Sequence, residues 1–168
     1  MINSFYLHFC PTICSFFPGA PFRRLRIFLW RLGGVRISHT ANIYPRAEFF
    51  PPSKCTISIG DNTFCGNGVL VCGGNVTIGK NCDLAPRCLI HAGSHEIGTS
   101  EHRAGKTYAG KIEVGDGTWI GTGATILSGA KIGEGCMIAA GSVVIAGEYP
   151  DNVLLAGVPA KVKKKLNG

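Results

Sequence analysis

Apolar, mostly β-branched residues recur at a fixed interval of six positions through the C-terminal half of the chain. They are Val114, Ile120, Ile126, Ile132, Ile138 and Val144. A small residue usually follows four positions later, as at Thr118, Ala124, Ala130, Cys136 and Ser142. This interval matches neither the period of about 3.6 of a helix nor the period of about 2 of a strand. The pattern predicts a solenoid of short strands and tight turns, with the recurring residues stacked in its core.

The repeat continues toward the N-terminus in three shorter runs. Earlier members are Ile59, Cys65 and Val71, then Ile78, Leu84 and Ile90, with a weaker start at Ile37, Ile43 and Phe49. Glycine recurs directly after the apolar residue, at Gly60, Gly79, Gly115, Gly121 and Gly133, which suits corners where a Cβ would crowd. The repeat is lost between Ile90 and Val114, where the polar stretch 95–111 predicts a loop that projects from the coil.

The two ends of the chain have a different pattern. Residues 2–18 are apolar but contain Pro11 and Pro18, and residues 22–32 have the spacing of an amphipathic helix that ends at Gly33 and Gly34. After the coil, VLLAGVPAKVKKKL predicts a strand followed by a short basic helix or tail. We therefore expect an apolar and basic helical segment over 1–34, and a β-helix over 35–168 with a basic C-terminal tail.

The N-terminal segment has two interpretations. A membrane-spanning helix needs about 20 uninterrupted apolar residues, and the prolines and arginines interrupt the segment well before that. A helical cap on the first coil is the simpler interpretation. The alternative is shallow, peripheral attachment to an anionic membrane surface.

Composition and charge narrow the class of protein. The 168 residues include 24 glycines and are 45% hydrophobic, which predicts a single domain with many tight turns. The net charge of +7 is concentrated in two clusters, Arg23, Arg24, Arg26 and Arg31 near the start and Lys161, Lys163, Lys164 and Lys165 near the end. Such clusters attract phosphates or acidic lipids. Since no nucleic-acid-binding motif accompanies them, we expect no nucleic-acid partner.

The eight cysteines lack the paired spacing of a zinc site. Cys82, Cys88 and Cys136 occupy the small-residue position of the repeat, so they are expected to be buried like alanine or serine. This usage favours a reducing, cytoplasmic compartment without disulfides.

Three stretches carry a resemblance to a known family. They are LAPRCLIHAGSHEIG, GDGTWIGTGATILSGAKIGEGCMIAAGSVV and NVLLAGVPAKVKKKL. Over about residues 35–165 the chain resembles the hexapeptide-repeat acyltransferases, and most of all the small sugar O-acetyltransferases of the galactoside and maltose type. The resemblance implies an all-β fold, a left-handed parallel β-helix of hexapeptide repeats with a short N-terminal helical segment and a projecting loop.

The resemblance also implies an activity. It is an acetyl-CoA-dependent O-acetyltransferase that modifies a sugar or polysaccharide precursor, needs no metal, and forms a cytoplasmic homotrimer. A location at the inner face of the membrane would follow from the apolar N-terminal segment and not from the resemblance. An alcohol attacks a thioester poorly without a base, and histidine suits that role at neutral pH. Counting from Ala85-Pro86, the family's catalytic histidine corresponds to His95, and Glu96 beside it could polarise the ring.

Acceptor and cosubstrate residues follow from the same match. Asn67 corresponds to an asparagine that reaches the acceptor from the facing subunit, and His91 is a structural or substrate-side residue. Asn75 occupies the position at which the galactoside enzymes have a carboxylate. The orientation of the acceptor is therefore expected to differ from that in those enzymes. The resemblance assigns contacts with acetyl-CoA to Trp119, Thr122, Ala140, Lys161 and Lys164.

Three alternatives stay open at this point. The same fold and cosubstrate serve N-acetylation of a nucleotide-linked amino sugar. The coil also occurs in metal hydratases resembling the gamma-class carbonic anhydrases, but His91, His95 and His102 lie in one loop region without that ligand spacing. A non-catalytic scaffold is the third alternative.

Overall fold

A computed structural model describes residues 4–167. Residues 1–3 of the expected N-terminal segment and residue 168 of the expected β-helix lie outside the described residues. Helix α1 (Ser4–Ser15) and a 3₁₀ turn (Ala20–Phe22) lead into helix α2 (Arg23–Leu32). A parallel β-helix follows, in which the first five coils contribute one strand to each of three faces and the last coil contributes strands to the first two faces.

The strands follow one another coil by coil. The first three coils contain β1 (Arg36–Ile37), β2 (Asn42–Ile43) and β3 (Glu48–Phe50); β4 (Ile57–Ile59), β5 (Phe64–Cys65) and β6 (Leu70–Cys72); and β7 (Asn75–Ile78), β8 (Asp83–Leu84) and β9 (Leu89–His91). After the hairpin β10 (Gly93–Ile97) and β11 (Ala104–Ala109) come β12 (Lys111–Val114), β13 (Trp119–Ile120) and β14 (Thr125–Leu127), then β15 (Ala130–Ile132), β16 (Met137–Ile138) and β17 (Val143–Val144). The chain ends with β18 (Gly147–Tyr149), β19 (Val153–Gly157) and β20 (Ala160–Lys165).

The recurring apolar residues stack from coil to coil, as the six-residue pattern predicts. Val114 pairs with Ile132 on the first face, Ile120 with Ile138 on the second, and Ile126 with Val144 on the third. Their side chains and the small residues four positions later are almost completely buried. Burial of one such aliphatic side chain stabilises the fold by about 1.5–3 kcal/mol, so the stack is the main source of stability.

Glycine at the second repeat position is required by the spacing of the coils. A Cβ on Gly115 would lie 2.5 Å from the carbonyl carbon of Gly133, and a Cβ on Gly60 would lie equally close to Gly79. Because backbone occupies that space, no side chain fits where these corners stack. The expectation of crowded corners is confirmed.

Helix α2 closes the N-terminal end of the coil. Ile27 and Trp30 are buried against the first coil, where the Trp30 ring meets Phe49 edge-on at 5.1 Å between centroids. Three arginines donate hydrogen bonds to carbonyls of this coil: Arg23 to Thr40, Arg26 to Ile43 and Arg31 to Ile37. An exposed coil edge has unpaired carbonyl groups, and these guanidinium groups bind them. No helix within residues 4–167 is long and apolar enough to cross a membrane.

Two local predictions differ from the structure. The segment after β19 is neither helix nor tail, because β20 pairs antiparallel with β19 and covers the edge of the second face. The segment over 95–111 projects from the coil as predicted, but it is a paired β-hairpin and not an irregular loop, since His95 pairs with Thr107 and Ser94 with Tyr108. Both extensions place backbone donors and acceptors on a partner strand, which six-residue periodicity does not reveal.

Candidate functional site

The hairpin leaves the coil where the chain passes from the third face to the first, which we call the hairpin corner (residues 73–74 and 92–110). Its root is joined to the coil by backbone hydrogen bonds from Ala92 to Cys72, from Gly110 to Ala92 and from Asn75 to Gly110, at 2.7–2.9 Å. The hairpin is therefore a rigid extension of the third coil.

His95 lies on β10, with its side chain exposed to solvent. Its Nδ1 atom is 3.0 Å from the carbonyl oxygen of Gly105 on the opposite strand, and Thr107 Oγ1 is 3.4 Å from the same nitrogen. A carbonyl only accepts hydrogen bonds, so Nδ1 carries the proton and donates it to Gly105. The lone pair of Nε2 is then available to accept a proton. The hydrogen-bond partners described for the ring are the Gly105 carbonyl and Thr107, so a carbonyl orients it, while a polarising role of Glu96 stays a prediction.

His91 lies at the end of β9, half-buried, with Nδ1 3.1 Å from Sγ of Cys72 on the neighbouring strand. A Cβ added at Gly73 or Gly93 would meet the imidazole ring at 2.7–3.2 Å. The ring is therefore packed between two glycine backbones, directly below the first residue of the hairpin. This contact fits the structural role expected for His91; its substrate-side role is a prediction that the geometry leaves in place.

Asn75 is on the same corner, at the start of β7. Its side-chain oxygen accepts a hydrogen bond from the Thr56 amide at 2.9 Å, and it pairs in register with Lys111 just after the hairpin. The carboxamide thus links successive coils and leaves its NH₂ group for other partners. The structure brings Asn75, His91 and the hairpin root together.

Asn67 lies at a different corner, where the chain passes from the second face to the third; we call it the Asn67 corner. Its carbonyl accepts from the Arg87 amide, and farther along the coil Gly141 donates to the Thr122 carbonyl. Asn67, Thr122 and Ala140 are all exposed in these stacked turns. The third face separates them from His95, so one copy of the chain does not bring the predicted acceptor and cosubstrate residues to the predicted base.

Trp119 and the two predicted lysines lie on the second face. The Trp119 side chain is 50% exposed, and its strand position continues through Met137 and Leu154 to Lys164. Lys161 is exposed on the same final strand. The result is a strip that runs from an aromatic ring over apolar side chains to cations.

Several features of the site give no signal in the sequence. The carbonyl of Gly105 orients His95 only because of the hairpin register, and the Cys72–His91 contact joins residues 19 positions apart. Burial raises the pKa of the Cys72 thiol, so the group beside His91 Nδ1 is a thiol and not a thiolate at neutral pH. Within residues 4–167, no three His, Cys, Asp or Glu side chains are grouped so as to hold a metal ion.

Comparison with known proteins agrees with the coil and its repeats. Residues 111–146 match the model of the bacterial transferase hexapeptide repeats. The chain is 35% identical over 138 residues to galactoside O-acetyltransferase of Escherichia coli, covering 82% of this chain and 61% of that protein. It is 41% identical over 130 residues to a candidate acetyltransferase of Saccharomyces cerevisiae, covering 77% and 66% respectively. The chain thus spans between 58% and 66% of the length of the curated relatives it matches.

Solved structures show the same fold over almost the whole chain. A hexapeptide-repeat acetyltransferase of Vibrio cholerae in complex with acetyl-CoA superposes with a TM-score of 0.76 at 25% identity, covering 98% of this chain and 87% of that one. A galactoside acetyltransferase in complex with coenzyme A superposes with a TM-score of 0.79 at 23% identity, covering 98% and 80%. With its repeats, its stacked coils and these relatives, the chain belongs to the hexapeptide-repeat acyltransferase superfamily and folds as a left-handed parallel β-helix.

Proposed function

We propose that the protein is an acetyl-CoA-dependent O-acetyltransferase whose acceptor is a hydroxyl group of a sugar or a polysaccharide precursor. The observation that carries the proposal is the hydrogen bond between His95 Nδ1 and the Gly105 carbonyl. It fixes the tautomer in which Nε2 is an acceptor on an exposed hairpin, which is the state that a general base needs. The names of the relatives support acetyl transfer, and the galactoside enzyme among them supports a sugar acceptor.

The proposed reaction is a single transfer. His95 Nε2 accepts the proton of the acceptor hydroxyl while the oxygen attacks the thioester carbonyl. The Gly105 carbonyl stabilises the imidazolium by holding the proton on Nδ1. When the carbon–sulfur bond breaks, His95 returns its proton to the departing thiolate, so that an acetyl ester and a free thiol are the products. The Thr122 backbone amide is our candidate donor to the oxyanion.

Residues of the second face and the Asn67 corner fit the cosubstrate. Lys161 and Lys164 offer exposed cations for phosphate groups, while Trp119, Met137 and Leu154 form a surface for an extended, uncharged chain. Ala140 and Thr122 expose turn backbone beside this strip. When bound, acetyl-CoA supplies the activated acetyl group.

We propose further that the site forms between neighbouring copies of a trimer. His95, His91 and Asn75 lie at the hairpin corner, whereas Asn67, Thr122 and Ala140 lie at the Asn67 corner, on the other side of the third face. A second copy whose Asn67 corner faces the hairpin corner of the first would join the two groups. Closed three-fold symmetry would build equivalent sites at all interfaces.

The base assignment is tested with two matched histidine variants. Loss of a general base lowers turnover by about 10²–10⁴-fold, so we expect His95→Ala to lower thiol release from acetyl-CoA by that factor. His102→Ala alters an exposed histidine near the tip of the same hairpin and should leave turnover within about twofold. Equal turnover of both variants would refute the assignment.

A panel of sugars and amino sugars in the same assay separates O- from N-acetylation, and transfer only to amines would refute the acceptor class.

The shared site is tested by complementation. His95→Ala and Asn67→Ala proteins, each of low activity, are unfolded and refolded together. In randomly mixed trimers about a quarter of the interfaces combine an intact His95 with an intact Asn67. We expect turnover to recover toward that fraction, whereas no recovery in trimers that have mixed would show that both residues serve the site of one copy.

A further inference from the structure

A second cationic site lies at the N-terminal end of the molecule, away from the hairpin. A cavity of about 430 Å³ opens between helix α2 and the first coil, and its lining carries four basic side chains, those of Arg23, Arg24, Arg31 and His39, together with Ile27, Phe28 and Thr40. The acetyl-transfer site proposed above uses none of these residues.

The charge of this end of the molecule is one-sided. No Asp or Glu precedes Glu48 in the sequence, whereas six arginines do. The Asp61 carboxylate accepts hydrogen bonds from Ser38 and Thr40 and interacts electrostatically with His39, but it does not line the cavity. Cationic side chains that share a cavity with little opposing charge repel one another and favour an anionic ligand.

The coil already uses part of this charge, but not all of it. Arg23 and Arg31 bind carbonyl oxygens of the first coil through one nitrogen each, so the other guanidinium N–H groups remain to donate. Arg24 is exposed one residue after the start of α2, and His39 is exposed on the facing turn. Guanidinium groups in this arrangement suit the oxygens of a phosphate group.

The rim of the cavity is apolar on its outer side. Phe28 is 56% exposed and Leu32 is 53% exposed, and both follow Arg24 at helical spacing on the outward side of α2. An exposed aromatic beside a phosphate site favours a ligand that has both a charged group and hydrocarbon. A basic helix with exposed aromatic and aliphatic residues is typical of proteins that lie on an anionic membrane.

We propose that this cavity binds the phosphate of an anionic phospholipid headgroup, with Phe28 and Leu32 inserted among the adjoining acyl chains. Arg24 and His39 contact the phosphate from opposite walls, while Arg23 and Arg31 add charge from positions fixed by the coil. The protein would then lie on the membrane with its helical end.

The test is binding to vesicles, measured by co-sedimentation. Vesicles of phosphatidylcholine with added phosphatidylglycerol should bind the protein, vesicles of phosphatidylcholine alone should not, and high salt should release it. One basic residue at the surface contributes about fivefold to such binding, so Arg24→Gln should bind about fivefold more weakly. Lys163→Gln removes the same charge from the exposed β20 strand and should bind like the original protein.

Further variants distinguish the source of the phosphate. Phe28→Ser should weaken vesicle binding. It should not change the rise in melting temperature that soluble glycerol phosphate produces. Protection by glycerol phosphate without vesicle binding would overturn the lipid and leave a soluble phosphate. If Arg24→Gln and Lys163→Gln lost vesicle binding equally, with unchanged melting temperatures, the proposed site would be overturned. Acetyl transfer plays no part in these measurements, so their failure and that of the proposed activity are separate results.

Discussion

The thiol of Cys72 lies 3.1 Å from Nδ1 of His91, across two neighbouring strands of the third face. Burial raises the pKa of this thiol, and the thiol can donate to Nδ1 or accept from it, depending on the tautomer of the His91 ring. His95, four residues later, has a defined tautomer because the Gly105 carbonyl accepts from its Nδ1. The two histidines at this corner are thus held by different partners, His91 by a thiol and His95 by a carbonyl oxygen.

This contact predicts that His91 supports the hairpin. His91→Ala would leave space between Gly73 and Gly93, and we expect it to lower the free energy of unfolding by about 1–2 kcal/mol. Turnover should fall much less than in His95→Ala, since the proposed base, His95, is retained. Cys72→Ser keeps a donor at this position and serves as the control in chemical denaturation and thiol-release assays. If His91→Ala lost as much turnover as His95→Ala, the assignment of the base role to His95 would be wrong.

The repeat made most of the coil predictable, because a six-residue period determines which side chains point inward. The same pattern could not identify contacts made by turns and extensions. Arg26 shows this limit: the sequence groups it with a basic cluster that attracts anions, yet its side chain is 2% exposed and donates to three carbonyl oxygens. Likewise, resemblance located His95, but the carbonyl that orients it depends on hairpin register.

Arg26 is expected to be essential for the N-terminal cap. Its guanidinium donates to the carbonyls of Ile43, Phe17 and Gly19 at 2.7–3.0 Å. Arg26→Met fills similar space but removes three hydrogen bonds from a cation, one of them to the buried carbonyl of Ile43, which costs about 3 kcal/mol in total. Arg24→Met, at an exposed position, should change the unfolding free energy by about 0.5 kcal/mol or less. Similar denaturation midpoints for both variants would contradict this role.

Substitutions at two glycines distinguish the cost of steric crowding from the cost of backbone strain. Gly115 has no room for a Cβ because the Gly133 backbone is 2.5 Å away, whereas Gly123 has open space but a φ of +67°. Gly115→Ala should therefore cost about 1–3 kcal/mol through forced displacement of the neighbouring coil. Gly123→Ala should cost about 1 kcal/mol, and Gly123→Asn should cost less, since asparagine tolerates the left-handed region.

Thermal unfolding of these variants checks the difference. The order of stability should be Gly123→Asn, then Gly123→Ala, then Gly115→Ala. If Gly115→Ala were the most stable variant, the crowding argument would be wrong. The coils would then have to move apart at this corner at little cost, although the backbones of Gly115 and Gly133 are stacked there.

Buried thiols predict a loss of stability at alkaline pH. Burial raises the pKa of the Cys88 thiol to about 11 from the ordinary value of 9.0. The folded state therefore holds this proton more tightly than the unfolded state, and the stability from this group is complete below pH 9 and lost as pH rises toward 11. Burial also raises the pKa of the Cys65, Cys82 and Cys136 thiols, which adds to the effect. Cys88→Ala removes one such group from a position that accepts small residues, so its unfolding free energy should fall less steeply than that of the original protein between pH 9 and 11. Parallel pH profiles for the two proteins in urea denaturation would show that the Cys88 thiol titrates alike in the folded and unfolded chain.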